Sequence, residues 1–232
     1  MPYREDMPRD TLTRDQIVRT AVELLDEEGL EGLNMRSLGK RLGAAATAVY
    51  WHVKNKDNLV LLAGDHVWDE IPLSELDPAD WHGAATAMAD GLHAMLVRHP
   101  WLVQAFGSYL FYGPGKARYD DHSLAVFEAA GFSGADADRA AAAVFTYVLG
   151  NALGASANAS LTRRLGRDGG DARQQIEETL AKATEVAMRF PRLRSRLDTP
   201  AADYNAAPDD AYRQGLQALL RGLVPTPARA DG

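Results

Sequence analysis

The sequence predicts an all-α chain in which an N-terminal three-helix domain of the helix-turn-helix type is followed by a larger helical domain. Three observations predict it. Apolar residues recur at helical spacing from Ile17 to Leu223, and no segment competes convincingly as a strand. The periodic runs are separated by segments rich in helix-ending residues, such as Tyr112-Gly113-Pro114-Gly115 and Gly131 to Gly134. Residues 33–56, LNMRSLGKRLGAAATAVYWHVKNK, carry Arg36, Lys40, Arg41, Lys54 and Lys56 and no acid, although the whole chain has a formal net charge of -7. Because duplex binding depends on cations meeting phosphates, a local basic stretch in an acidic chain marks a DNA-binding element.

Residues 1–11 are polar, contain Pro2 and Pro8 and lack periodicity, so a disordered arm is expected, with Arg4 and Arg9 solvated or near a minor groove. Thr13 and Gln16 form a capping box, and Ile17, Val18, Ala21, Val22, Leu24 and Leu25 make the apolar stripe of a first helix running to Gly29. Its acidic end, Asp26-Glu27-Glu28, would repel phosphate and is expected to face away from DNA. Asn34 caps a second helix with Met35, Leu38 and Leu42 on one face, Gly43 makes the turn, and Val49 and Val53 mark the inner face of a third. The small residues Ala44, Ala45, Ala46 and Ala48 let that third helix approach a groove closely. Thr47, Tyr50, Trp51 and His52 then offer groups for base edges or phosphates, with Lys54 and Lys56 as phosphate clamps. The DNA-binding domain therefore spans 12–56.

Residues 57–71, apolar at Leu59, Val60, Leu62, Ala63, Val67 and Ile71, form a connecting helix that can act as a lever between domains. His66 and Glu70 stand four apart, which two-ligand metal sites use, but a polar helix face explains them and no metal is assigned. Pro72 and Pro78 bracket a linker, and Asp77-Pro78 starts a helix through about His99. Further helices are expected over 101–112, 117–131, 135–165, 171–190 and 208–223, broken at 166–170 and 191–208, so that the second domain covers 72–224 and a disordered tail follows at 225–232.

This second domain has two functional signatures. Trp81, Met88, Leu92, Trp101, Phe106, Tyr109, Phe111, Tyr112, Phe127, Phe145 and Tyr147, interspersed with His93, Gln104, Asn151 and Asn158, are the mixture that lines an apolar small-molecule pocket with a few polar groups, although each residue is also compatible with simple core packing. From these, Trp81, Met88, Leu92, His93, Trp101, Phe106, Tyr109, Phe127, Tyr147 and Asn151 are expected to bind ligand. The helix from Ala135 is small-sided at Ala143, Gly150 and Gly154, and with Gly215, Leu216, Leu219 and Leu223 of the last helix it predicts a four-helix homodimer seam.

Other classes are disfavoured. With no cysteine there is neither a disulfide nor a thiolate site. No uninterrupted run of about 18 apolar residues and no secretory leader pattern is present, so a cytoplasmic protein without membrane partners is expected. Asp120, Asp121 and His122 are adjacent and splay around a helix instead of converging, so no enzyme, catalytic residue or cofactor is expected.

The stretch TRDQIVRTAVELLDEEGLEGLNMRSLGKRLGAAATAVYWHVKNKDNLV resembles the DNA-binding domain of the TetR family of bacterial transcriptional repressors, and AVYWHVKNK is especially similar to the tetracycline repressors. The resemblance continues more faintly through DWHGAATAMADGLHAMLVRHPWLV and AGFSGADADRAAAAVFTYVLGNALG. It implies a repressor that binds a palindromic duplex operator as a homodimer, with Arg36 reaching a base, and a ligand-binding and dimerisation domain whose effector releases the DNA. The position of the histidine that meets the drug in tetracycline repressors falls near Pro72, and their metal-binding histidine has no evident counterpart. A DNA-binding regulator without a small-molecule effector remains the alternative.

Overall fold

Thr13 opens the first helix as the sequence predicts: its hydroxyl accepts from the Gln16 backbone N–H, and the Gln16 side chain accepts in return from the Thr13 N–H. The computed structural model describes residues 12–167, 172–197 and 209–225. The expected arm, with Arg4 and Arg9, and residues 226–232 of the expected tail lie outside them.

Helix α1 (Arg14–Gly32) is bent at Gly29, whose φ of 71° and ψ of -177° only glycine adopts readily. Helix α2 (Met35–Arg41) is capped by Asn34 through the Ser37 N–H, and α3 (Ala46–Val53) follows after the Gly43 turn. Helix α4 (Lys56–Val67), capped by Asn55, continues as a tight turn over Trp68–Glu70, so the expected connecting helix ends shorter than its apolar pattern suggests. A second tight turn, Pro78–Asp80, replaces the expected proline-led helix start, and Asp80 caps α5 (Trp81–Arg98) through the Gly83 N–H.

Helix α6 (Pro100–Ala105) is the largest departure from expectation, since a helix to Tyr112 was predicted. It stops because the aromatic residues that follow are drawn to separate contacts. Phe106 packs on Phe111 and Phe145, the Tyr109 hydroxyl donates to Asp57, and the Phe111 ring lies where a Cβ on Gly64 would stand. Helices α7 (Pro114–Ala129), α8 (Ala135–Arg167), α9 (Ala172–Ala187), α10 (Pro191–Arg194) and α11 (Asp209–Gly222) complete an all-helical architecture, with no strand among the described residues.

One apolar core runs through both domains, from Ile17, Leu24, Leu38, Val49 and Leu59 to Leu92, Trp101, Phe127, Val148 and Leu216. Each fully buried aliphatic side chain in it contributes about 1.5–3 kcal/mol. Helix α8 is the spine of the second domain, packing on α5, α6, α7 and α11. By length and composition Ala135–Leu165 would suffice to cross a bilayer, a length of apolar helix that an uninterrupted-run criterion does not detect.

The domains also meet through polar groups. His99, only 3% exposed, places Nδ1 2.8 Å from Asp26 Oδ1 of α1 and Nε2 3.1 Å from Glu70 Oε1 of the turn after α4. The Trp101 indole N–H donates to the same Asp26 oxygen at 2.8 Å, Arg98 pairs with Glu70, and Arg163 of α8 donates to the Asp26 carbonyl at 3.2 Å.

Candidate DNA-binding and effector sites

The turn between α2 and α3 is set by glycine. A Cβ on Gly39 would come 2.8 Å from the Ala44 carbonyl oxygen, so only glycine lets the helices close together, and Gly43 at φ 61° reverses the chain. Leu38, Val49 and Val53 are buried and hold both helices to α1 and α4. With these turned inward, the opposite face of α3 is open. Thr47 and His52 are exposed, Ala46 and Ala48 half-buried, Tyr50 is 48% and Trp51 89% exposed, and Arg36 and Lys40 are exposed on α2. An indole left almost wholly in water is a poor packing residue and a good contact residue.

Two of the predicted cations are engaged within the chain. Arg41 pairs with Glu27 and lies 3.8 Å from Glu28, and its hydrogen bond holds the Glu27 carboxyl below the usual carboxylate range. Lys56 donates to the Leu30 carbonyl at 2.7 Å, tying the start of α4 to the bend of α1. The acidic end of α1 is thereby occupied, with Asp26 turned to His99 and Trp101 and Glu27 to Arg41.

The ten expected ligand residues do not converge on one cavity. Met88, Leu92, Trp101 and Phe127 are buried in the core, Trp101 being bonded to Asp26 at the domain junction. Trp81 joins Phe127 and Phe132 in a separate aromatic group at centroid distances of 6.1 and 5.7 Å. His93 stacks on Tyr212 at 4.2 Å, the Tyr147 hydroxyl donates to the Tyr212 carbonyl at 2.8 Å, and the Asn151 amide donates to the Tyr147 carbonyl at 2.8 Å, so these serve the α5–α8–α11 contact. His93 and Tyr147 stack on Tyr212, whose buried hydroxyl lacks a partner, while Phe106 and Tyr109 belong to a second aromatic cluster.

That cluster centres on Trp68, a residue the sequence did not mark out. Its ring lies 5.0 Å from Tyr119 and stacks on Phe145 at 6.4 Å, with Phe106 5.7 Å from Phe145, and Lys116 sits over Trp68 and Phe145 at 5.3 and 5.5 Å. The Trp68 Nε1–H is fully buried without an acceptor, which costs about 1–3 kcal/mol until something supplies one. A cavity of about 260 Å³ opens between α7 and α8, lined by Lys116, Tyr119, Asp120, Ser123, Asp138 and Phe145; Trp68 does not reach its wall, and Lys116 is paired with Asp120 at 2.6 Å. Burial, with the Asp120 charge adding to it, keeps the Tyr119 phenol protonated far above its ordinary range. The available signals were the tryptophan at the end of the connecting helix and a lysine one turn before Asp120, but neither belongs to a recognisable pattern.

The expected dimer residues divide as well. Gly150 and Gly154 have nothing within 4 Å of a notional Cβ, and Leu153 between them is 58% exposed. Gly215 and Leu216 are instead used inside the chain: a Cβ on Gly215 would overlap the Tyr147 hydroxyl, and Leu216 is 1% exposed. Ala143, Leu219 and Leu223 are half-buried. Glu70 is committed to His99 and Arg98, and among the described residues no group of three or more His, Cys, Asp or Glu side chains is arranged to hold a metal.

Comparison with known proteins follows the same division of the chain. Residues 17–63 match the family model of bacterial regulatory proteins of the tetR family, and residues 74–226 match that of the tetracyclin repressor-like C-terminal domain. An HTH-type transcriptional regulator of Saccharopolyspora erythraea is 32% identical over 97% of this chain and 90% of its own length. The HTH-type transcriptional repressor DrrR1 of Streptomyces coeruleorubidus is also 32% identical, over 97% of this chain and 82% of its own. Among solved structures, the TetR family protein ActR of Streptomyces coelicolor, in complex with actinorhodin, superposes with a TM-score of 0.72 at 26% identity, covering 94% of this chain and 96% of that one. A helix-turn-helix with an open recognition face, a helical second domain and both matching family models show that this chain belongs to the TetR family of bacterial transcriptional regulators.

Proposed function

We propose that the chain is a ligand-responsive repressor that binds a palindromic operator as a homodimer and releases it when a largely apolar or aromatic small molecule occupies the second domain. The DNA half rests on α3, whose Val49 and Val53 are buried while Thr47, Tyr50, Trp51 and His52 are presented outward. The effector half is carried by the cavity between α7 and α8, whose Tyr119 and Phe145 walls pack on the buried Trp68 ring. An aromatic ring system would fill the cavity against the Tyr119 and Phe145 rings that pack on Trp68, with an oxygen facing Lys116, whose ammonium is paired with Asp120 at 2.6 Å. That ActR is solved with actinorhodin supports a small-molecule ligand in this domain. The homodimer is supported by α8, whose exposed Gly150–Leu153–Gly154 face a second copy would cover.

Release requires that the ligand prefer the spacing of recognition helices that does not fit DNA, by roughly 1–3 kcal/mol. The contacts of the cluster to α4 and to the Tyr109–Asp57 bond give it a handle on that spacing. The test is to enrich a duplex from a randomised pool, then titrate ligand with and without it. Reciprocity demands that saturating duplex weaken ligand binding by the same factor by which ligand weakens duplex binding. Arg36→Ala should flatten sequence preference by removing a contact of about 1–3 kcal/mol discrimination, with random-DNA affinity little changed. Ligand affinity indifferent to duplex would leave a DNA-binding regulator without an effector.

A further inference from the structure

The polar junction around His99 does more than join two domains. A carboxylate only accepts hydrogen bonds, and a neutral imidazole has one N–H, so a ring with a carboxylate oxygen against each nitrogen is satisfied only as the imidazolium. Neutral His99 would set a lone pair against either Asp26 or Glu70 at a buried ring, the two carboxylates themselves being 30% and 32% exposed. The groups facing the ring are Asp26 from α1 and Glu70 from the turn after α4; Arg98 holds Glu70 from outside, while the Trp101 indole and Arg163 of α8 hold Asp26. Asp26 belongs to the helix against which α2, α3 and α4 pack, and Glu70 ends the element leaving the recognition helix. One covalent and one packed route from the DNA-binding domain therefore meet at this ring.

We propose that His99 is a proton-operated latch between the DNA-binding and effector domains, which clamps Asp26 to Glu70 when protonated and opens when the proton leaves, so that operator affinity falls as pH rises. The inference rests on the DNA-binding role proposed for α3. Burial works against the charged ring, but the hydrogen bonds and charges of Asp26 and then Glu70 outweigh it and hold the imidazole above its ordinary value. The sign follows: a raised folded value means that the clamp is fully present below the ordinary histidine range and is lost as pH rises through the raised value.

The ring is tested directly in the full-length protein by the ¹⁵N resonances of its two nitrogens. Both should stay protonated to higher pH than those of an ordinary histidine, and the Trp101 indole resonance should move with the same midpoint. A ring midpoint at or below the ordinary histidine range overturns the latch. The consequence is read with a duplex enriched by the protein near pH 6.5, whose affinity at constant ionic strength should fall roughly threefold or more as pH is raised through the midpoint of the ring. Glu70→Gln ties the profile to this ring and not to another histidine: it keeps an acceptor oxygen but removes a charge, and should move the midpoints of the ring and of the affinity to lower pH. An affinity profile that is flat, or whose midpoint ignores Glu70→Gln, overturns the proposal. Failure to enrich any duplex would refute the DNA-binding reading, while the ring titration would still decide whether the clamp exists.

Discussion

The Tyr147 hydroxyl occupies the space that a Cβ on Gly215 would need, and from there it donates to the Tyr212 carbonyl at 2.8 Å. Helix α11 is thus seated on α8 by a glycine on one side and a phenol on the other. Gly215→Ala is expected to lower stability by about 1–3 kcal/mol through overpacking. Combining it with Tyr147→Phe, which removes the overlapping oxygen, should cost less than the sum of the two single changes. Additive losses in thermal or denaturant unfolding would show that the two residues do not meet.

Gly29 bends α1 at φ 71° and ψ -177°, beside the Arg163 side chain. A side chain is strained in that region by about 1–3 kcal/mol, so Gly29→Ala should destabilise the chain by that amount although the site is on no DNA contact. An unchanged unfolding midpoint would mean that α1 runs straight in solution.

Leu153 is 58% exposed in the single chain, whereas Leu219 is half-buried and packs partly on the chain's own core. Leu153→Arg therefore tests the α8 seam without breaking the fold. In a seam, an unpaired charge costs several kcal/mol, so the variant should be monomeric by light scattering at micromolar concentration with its helix content intact. A variant that remains dimeric would place the interface away from this face.

Lys56 has a structural bond to Leu30 and is also expected to reach phosphate. Lys56→Ala should lower stability by about 1 kcal/mol for the lost hydrogen bond. It should also weaken cognate and random duplexes alike and reduce the salt slope by about 1. A stability loss with an unchanged slope would confine this lysine to holding α4 against α1.

Much of this was legible in one sequence. Helical periodicity, the Thr13–Gln16 box, the Asn34 cap and the Gly43 turn are local, because each is set by backbone hydrogen bonds and side-chain spacing within a few residues. The outward face of α3 followed equally, since Val49 and Val53 four apart define which side is buried. Those local rules, with the basic stretch at 33–56, determined an all-α chain and the place of its DNA-binding element.

What only the tertiary structure decided are meetings between residues far apart in the chain. The end of α6 at Ala105 depends on Asp57 and Gly64 of α4 and Phe145 of α8, whose contacts outweigh the helical preference of the residues that follow. Lys56 turns to Leu30 and Arg41 to Glu27 because the folded α1 presents a carbonyl and a carboxylate to them, a placement that charge counting does not contain. Gly215 and Leu216 face Tyr147 and the core of their own chain because the rotation of α11 about its axis is chosen by the fit to α8. Trp68 acquires its unmet N–H, and His99 its two carboxylates, from elements far away in the chain, Asp26 standing 73 positions from His99. Sequence periodicity says which residues leave water; only the packed arrangement says which donor then lacks an acceptor and which ring must carry a proton.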